Sequence, residues 1–288
     1  MELFNARWAE GKFVCVGLDS DYEKLPPHLK KEPDFEEDAI VDFNAEIIEA
    51  TKDIVCAYKP NSAFYEALGT CGISVLKRTV DFIHEKAPEV PLILDAKRAD
   101  IGNTNNGYVK FAFDWLGADA ITVHPYLGKE ALKPFLDRAD KMIIVLARTS
   151  NPGAGEFQDL TISSPVKPVN PVKPALDSAI LYQVVAKQVS EVWNSNGNCA
   201  IVAGATYPEE LGIIRQLVGD MPLLIPGIGK QGGDLEKAVK NGRNAKKQGM
   251  IINNSSGVLF ASSGPDFALA ARAVAQKMHD DITQFNQS

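Results

Sequence analysis

Cysteine is scarce in this chain, with four residues at Cys15, Cys56, Cys71 and Cys199, and no two stand at metal-ligand spacing. That spacing argues against a zinc motif or a disulfide framework and predicts buried, reduced thiols in a cytoplasmic protein. His28, His84, His124 and His279 are equally dispersed, so the fold itself would have to assemble any metal cluster, and none is expected. No apolar stretch approaches the roughly twenty residues that span a bilayer. The opening MELFNARWAEGKF lacks the basic-then-apolar layout of a secretion signal. A net charge of −7 without a long Lys/Arg run speaks against nucleic acid as the main partner. The expected partners therefore include neither nucleic acid nor membrane.

What is present is a rhythm of short apolar runs. They are VCVGLD (14–19), IVCAYKPN (54–61), PLILDAK (91–97), AITVHP (120–125), MIIVLART (142–149), CAIVAGAT (199–206), PLLIPGIG (222–229) and GMIINNSS (249–256). Nearly continuous Val, Ile, Leu, Ala or Cys predicts strands buried on both faces. Between them lie amphipathic stretches such as Asp42–Asp53, Val75–Lys86, Ala179–Trp193 and Leu235–Asn241. Eight βα units at this length predict one TIM (β/α)8 barrel domain over residues 1–288, with a doubly wound open sheet as the alternative. One connection is anomalous. Residues 151–177 carry the near-repeat PVKPVNPVKP, and proline at that density forbids helix or central strand. Its first half, Asn151–Leu160, reads as a lid and its proline-rich half as a mobile tail.

Polar residues gather at the C-terminal ends of the runs: Asp19, Lys59, Asn61, Asp95, Lys97, His124, Thr149, Ser150, Thr206, Ser255 and Ser256. Barrel active sites occupy that face. The densest cluster is Asp95-Ala-Lys97-Arg-Ala-Asp100. Strand alternation would point Asp95 and Lys97 to one side, with Asp100 just beyond the strand. A plainer reading makes Asp100 a helix N-cap and Asp95–Lys97 a structural ion pair. Lys59, Asp95, Lys97 and Asp100 would otherwise form an array in which each charge has an opposite neighbour. Two ammonium groups would repel a divalent metal, and no Ser-His-Asp or Cys-His arrangement is visible. A carboxylate beside an ammonium suits decarboxylation: one crowds a substrate carboxylate while the other stabilises and then protonates the carbanion. A second site, IPGIGKQGGD (225–234), has glycines that would let backbone N–H groups converge on a phosphate at a helix start.

YKPNSAFYE (58–66), LDAKRADIGNT (94–104), RTSNPG (148–153) and PGIGKQGGD (226–234) resemble the bacterial-type (type 2) branch of the orotidine 5′-phosphate decarboxylase family, over essentially all eight units. The resemblance implies a TIM barrel that converts orotidine 5′-monophosphate (OMP) to uridine 5′-monophosphate (UMP) and CO2 with no cofactor and no metal. It implies Lys97 as proton donor to pyrimidine C6 and Asp95 against the departing carboxylate. Lys59 would bridge Asp95 and the ribose, with Asp19 and Asn61 near the sugar. Ser150 would read the pyrimidine amide edge. Gln231, with nearby backbone, would hold the phosphate, and Pro226 and Gly257 join the substrate-binding positions. Asp100, Ile101 and Thr104 would reach across a homodimer into the partner's site.

The chain departs from the family pattern at one point. The last strand usually ends Asn-Ser-Ser-Arg-Gly, the Arg clamping phosphate, whereas here Ser256 stands before Gly257. Ser offers one neutral donor where Arg offers a charged fork. An engineered change, a natural enzyme using another cation, and a degenerate binder with little turnover all remain open; the nearest cations in sequence are Lys230, then Arg243. The expectation is a working site that grips phosphate weakly. Two rivals remain, a metal-dependent decarboxylase or epimerase of sugar phosphates and a nucleotide-binding barrel without turnover.

Overall fold

The computed structural model describes residues 1–30, 36–162, 179–229 and 232–288. Each apolar run forms a strand: β1 (Val14–Val16), β2 (Ala57–Tyr58), β3 (Ile93–Arg98), β4 (Ala120–Val123) and β5 (Met142–Arg148), then β8 (Cys199–Ala203), β9 (Leu223–Ile225) and β10 (Met250–Asn254). The remaining two strands, β6 (Thr161–Ile162) and β7 (Ala179–Ile180), pair antiparallel as a separate ribbon. The eight lie parallel in the order β2-β1-β10-β9-β8-β5-β4-β3. Parallel bridges from Tyr58 to Leu92 and from Asn61 to Asp95 join the two ends of that order. The sheet therefore closes, which rules out the open doubly wound alternative and leaves the TIM barrel.

Burial on both faces explains the composition. Val14, Ile93, Ile121, Ile143, Ile201, Leu223 and Ile251 are fully enclosed, the inner side chains filling the barrel and the outer ones meeting helices. Around it run α1 (Glu2–Ala9), α2 (Glu36–Thr51), α3 (Ser62–Glu66), α4 (Gly69–Lys86), α5 (Gly102–Val109) and α6 (Gly128–Leu136). Further along come α7 (Gly155–Gln158), α8 (Leu181–Gln188), α9 (Pro208–Val218), α10 (Leu235–Gly242), α11 (Ser256–Leu259) and α12 (Phe267–Gln287). In α4 the buried side chains Val75, Leu76, Val80 and Ile83 repeat at three to four residues, the stripe that docks a helix on a sheet.

The two barrel ends differ in chemistry. At the N-terminal end, α1 acts as a plug: Trp8 Nε1 donates to Met250 O at 2.8 Å, and Arg7 Nε donates to Val55 O at 2.9 Å. The C-terminal end carries the polar residues. Strands stop earlier than their apolar runs, so Asp19, Asn61, Ser150 and Ser255 sit on the turns just past them. One helix also starts late. Ala179 and Ile180, expected in a helix over 179–193, are extended because they pair with Ile162 and Thr161, and α8 begins at Leu181.

Candidate active site

A cavity of about 600 Å³ opens at the C-terminal mouth, lined by the ends of several strands. Its volume lies in the range of small-ligand sites. Asp95, itself buried, is among the lining residues. Lys59 Nζ donates to Asp95 Oδ2 at 2.7 Å, and Lys97 Nζ donates to Asp95 Oδ1 at 2.7 Å. Thr122 Oγ1 donates to the same Oδ1 at 2.8 Å. Lys59 is only 3% exposed, whereas the Lys97 side chain is half exposed to the cavity. Burial pulls the Lys59 ammonium toward neutrality, but the charges of Asp95 and Asp19 outweigh it and hold its pKa well above the ordinary lysine value. Burial likewise works against the Asp95 carboxylate, yet Lys59 and Lys97 overcome it and keep its pKa far below the usual carboxylate range. Asp95 thus bridges two lysines as a ladder, which brings together three of the four residues expected in the charge array; Asp100 does not join them.

The way the backbone builds this ladder differs from simple alternation. Between β3 and β4 the register shifts, Leu94 pairing with Ile121 and Arg98 with Val123. Asp95, Ala96 and Lys97 therefore stand opposite Thr122 alone, a bulge that re-aims side chains at a strand end. Lys97 adopts a left-handed backbone, φ +46°, which costs a non-glycine residue energy and persists only under local constraint.

The other sequence-predicted positions divide into four groups. Asp19, Asn61, Ser150 and Pro226 line the cavity. Asn61 N donates to Asp19 Oδ1 at 3.2 Å, and Asn61 Oδ1 caps α3 by accepting from Ala63 N at 3.1 Å. Gly257 belongs to the first turn of α11, beside the lining residue Ser256. Asp100, Ile101 and Thr104 stand outside this chain's own cavity. Asp100 Oδ1 accepts from Ile101 N at 2.6 Å, and Ile101 is 66% exposed. Asp100 is not the N-cap of α5, a position that Ile101 takes. Gln231 and Lys230 lie outside the described residues, as does the proline-rich repeat at 165–174. His124 and Thr206 end their runs without lining the cavity; Thr206 Oγ1 donates to Ser150 O instead.

Two turns complete the mouth. Gly17, just past β1, has no room for a Cβ, which would come within 1.9 Å of Ser255 Oγ. In the turn after β9, Gly227 and Gly229 adopt φ of +101° and +92°, conformations that glycine takes without penalty. The start of α10 is not open to a phosphate, because Asp234 caps it by accepting from Lys237 N at 3.0 Å. An anion at this end would meet the turn at 226–229 and the Ser255–Ser256 segment rather than that helix.

Arg243 cannot stand in for a phosphate clamp. Its Nη1 donates to Asn286 O at 2.8 Å, tying down the C-terminal end of α12. Sequence reasoning overlooked Lys24, which lines the same cavity as Ser256; its Nζ pairs with Asp21 and lies 5.8 Å from the Phe260 ring centre. It also overlooked Thr122, whose only signal was one hydroxyl in the apolar run AITV, and Gln158. The segment expected as a lid, Asn151–Leu160, contains α7 and packs against the end of β5. Asn151 and Gln158 line the cavity, Thr149 N donates to Gln158 Oε1 at 2.8 Å, and Arg148 Nη2 donates to Asp159 Oδ2 at 3.0 Å. The Arg148 guanidinium also stacks 3.7 Å from the Tyr207 ring centre. Asn253 also lines the cavity, and its buried Oδ1 has no hydrogen-bond partner among the described residues.

A closed barrel with a buried carboxylate held between two ammonium groups at its C-terminal mouth defines a (β/α)8 enzyme with acid–base chemistry. Residues 12–272 match the family described as Orotidine 5′-phosphate decarboxylase / HUMPS family, and the chain belongs to it. It is 45% identical over 286 residues to the orotidine 5′-phosphate decarboxylase of Janthinobacterium sp. (strain Marseille), covering 99% of this chain and 98% of the relative. Identity to the enzyme of Herpetosiphon aurantiacus is 48% over 263 residues, 91% of this chain and 90% of that one. Among solved structures, the OMP decarboxylase of Leishmania donovani superposes with a TM-score of 0.78 at 33% identity, over 98% of both chains. Among the described residues no helix is long and apolar enough to cross a membrane.

Proposed function

We propose that this chain decarboxylates OMP to UMP and CO2, the last step of de novo UMP synthesis, without a cofactor. The observation that carries the proposal is the Asp95 carboxylate pinned between Lys59 and Lys97 at the mouth cavity, in a chain belonging to this family. With the nucleotide bound, its carboxylate is crowded against Asp95. The C6–carboxyl bond breaks and leaves its electron pair on C6, beside the Lys97 ammonium. The Lys97 Nζ–H bond then breaks as C6–H forms, so CO2 leaves without a proton and Lys97 is left neutral. The largest enzyme accelerations correspond to roughly 23 kcal/mol, more than one lysine supplies. Ribose and phosphate contacts remote from C6 must provide the rest. Lys59, Asp19 and Asn61 serve the ribose, Ser150 the pyrimidine edge, and Pro226, Gln231 and Gly257 the phosphate end.

Ser256 leaves that phosphate end short of charge. Of the lysines lining the cavity among the described residues, Lys59 and Lys97 are committed to Asp95, and Lys24 is the third. Its long side chain pairs with the partly exposed Asp21 and lies near the Phe260 ring, surface contacts from which it turns toward a dianionic phosphate. Lys24 therefore supplies the counter-charge. Gln158 and Asn151, hinged on the Arg148–Asp159 pair, close over the bound nucleotide. Residues 1–288 act as one domain. Asp100, Ile101 and Thr104, exposed or half-buried beyond the cavity, complete the site of a second copy in a homodimer, for which the exposed apolar Ile101 and Tyr126 are the natural contacts. The buried, unpaired thiols of Cys15, Cys56 and Cys199 suit the cytoplasm, although Cys71, expected to be buried with them, is exposed.

The test is pyrimidine absorbance during incubation with OMP, repeated after EDTA. Conversion to UMP in both arms is expected. A flat trace overturns decarboxylation in favour of a nucleotide binder, and activity lost only with EDTA favours a metal-dependent relative.

A further inference from the structure

We infer that Thr122 is the positioning residue of the catalytic ladder, and that one hydroxyl sets both the Asp95 carboxylate and the backbone of Lys97. A threonine hydroxyl has one proton to give and lone pairs to accept with. Here both capacities are used on neighbours of the reaction: Oγ1 donates to Asp95 Oδ1 at 2.8 Å and accepts from Lys97 N at 2.9 Å. Thr122 is 1% exposed, so water does not compete for either bond.

The geometry gives these bonds a particular purpose. Three residues of the β3 bulge face Thr122 alone, so the ladder that would have tied Asp95–Lys97 to β4 is interrupted there. The bond from Lys97 N to the hydroxyl takes its place. It holds a lysine in the left-handed region, φ +46°, where unsupported lysine rarely stays. That backbone turn carries the Lys97 side chain back over Asp95 rather than along the strand. The second bond matters during the reaction itself. When Lys97 gives up its proton, Asp95 Oδ1 loses its cationic partner, and Thr122 keeps that oxygen fixed while Lys59 holds Oδ2. A valine of the same shape would fill the same space and provide neither bond. Thr122 does not touch the substrate's reacting carbon in this account; it acts through Asp95 and Lys97.

The inference rests on the decarboxylase reading, and its test separates the two. Native protein, Thr122→Val and Thr122→Ser are assayed for OMP decarboxylation, with folding checked by circular dichroism. Thr122→Val is expected to lose ten- to a hundredfold in kcat with KM within about threefold, the pattern of an interaction needed for the transition state. Thr122→Ser, which keeps the hydroxyl, is expected to retain at least a third of native kcat. A valine variant with kcat within twofold of native overturns the inference, as does a serine variant as slow as the valine one. If Thr122→Val does not fold, Thr122→Ala against Thr122→Ser asks the same question, and equal rates overturn it. Native protein inert toward OMP would instead refute the functional reading.

Discussion

Replacing Lys59 by Met removes the deeper rung of the ladder and strands one carboxylate oxygen. Lys59 Nζ and Asp95 Oδ2 are 2.7 Å apart, and both side chains are nearly enclosed. At an effective dielectric of about 20, two unit charges at that distance attract by roughly 6 kcal/mol. Desolvation of both groups consumes much of this, and a net coupling of about 2–3 kcal/mol is expected. Lys59→Met alone leaves Asp95 with Lys97 and Thr122 still bound, so its cost falls at the low end for a broken buried pair, about 3 kcal/mol. Asp95→Asn alone leaves two ammonium groups facing each other and costs about as much. The double variant, with no stranded charge at the inner rung, should be less destabilised than the sum of the singles by the coupling energy. The assay is urea denaturation of the four proteins, comparing midpoints at constant slope. Additivity within about 0.5 kcal/mol would refute the claim that these charges are energetically coupled.

The pH response of this pair follows from its shifts. Asp95, held below its ordinary 3.8, adds stability above that value and loses it as pH falls through the folded pKa. Lys59, held above its ordinary 10.5, adds stability below that value and loses it as pH rises past it. The stability difference between native and Lys59→Met protein should therefore be flat between about pH 5 and pH 9, and a slope in that window in urea titrations would contradict the shifts. Lys24→Gln should weaken UMP binding by calorimetry about tenfold, the loss of one charge-assisted contact, while uridine, lacking phosphate, binds as before; equal weakening of both would count against a phosphate role. Mixing Asp100→Ala with Lys97→Ala chains should restore part of the activity, because one of the two sites in a mixed dimer receives both intact residues. Confirmed heterodimers without activity would remove the shared site.

The barrel was legible because its strands are buried on both faces, so Met, Val, Ile and Leu run unbroken over 142–146 and 250–252 and mark those strands directly. The polar ends of those runs were legible for the same reason, as charge there is anomalous against so apolar a background. What the residues could not announce depends on register. Alternation predicted Asp95 and Lys97 on one side, yet it is a bulge opposite Thr122 that joins them, and no local pattern distinguishes that threonine from an ordinary strand former. Arg243 resembled a spare cation until its contacts with the end of α12, more than forty residues away, were visible. Lys24 was invisible for the converse reason: only the closed barrel brings the turn after β1 beside Ser256. Ala179 and Ile180 looked helical from their own neighbourhood, and their pairing with Thr161 and Ile162 is a contact across the proline-rich insertion.

The most direct measurement is release of labelled CO2 from carboxyl-labelled OMP by native protein and by Lys97→Ala, alongside UMP affinity as a check on the fold. The ladder account predicts steady release by the native chain and none above background by a Lys97→Ala protein that still binds UMP. Appreciable release by that variant would contradict the account at its centre, since the proton would then come from elsewhere.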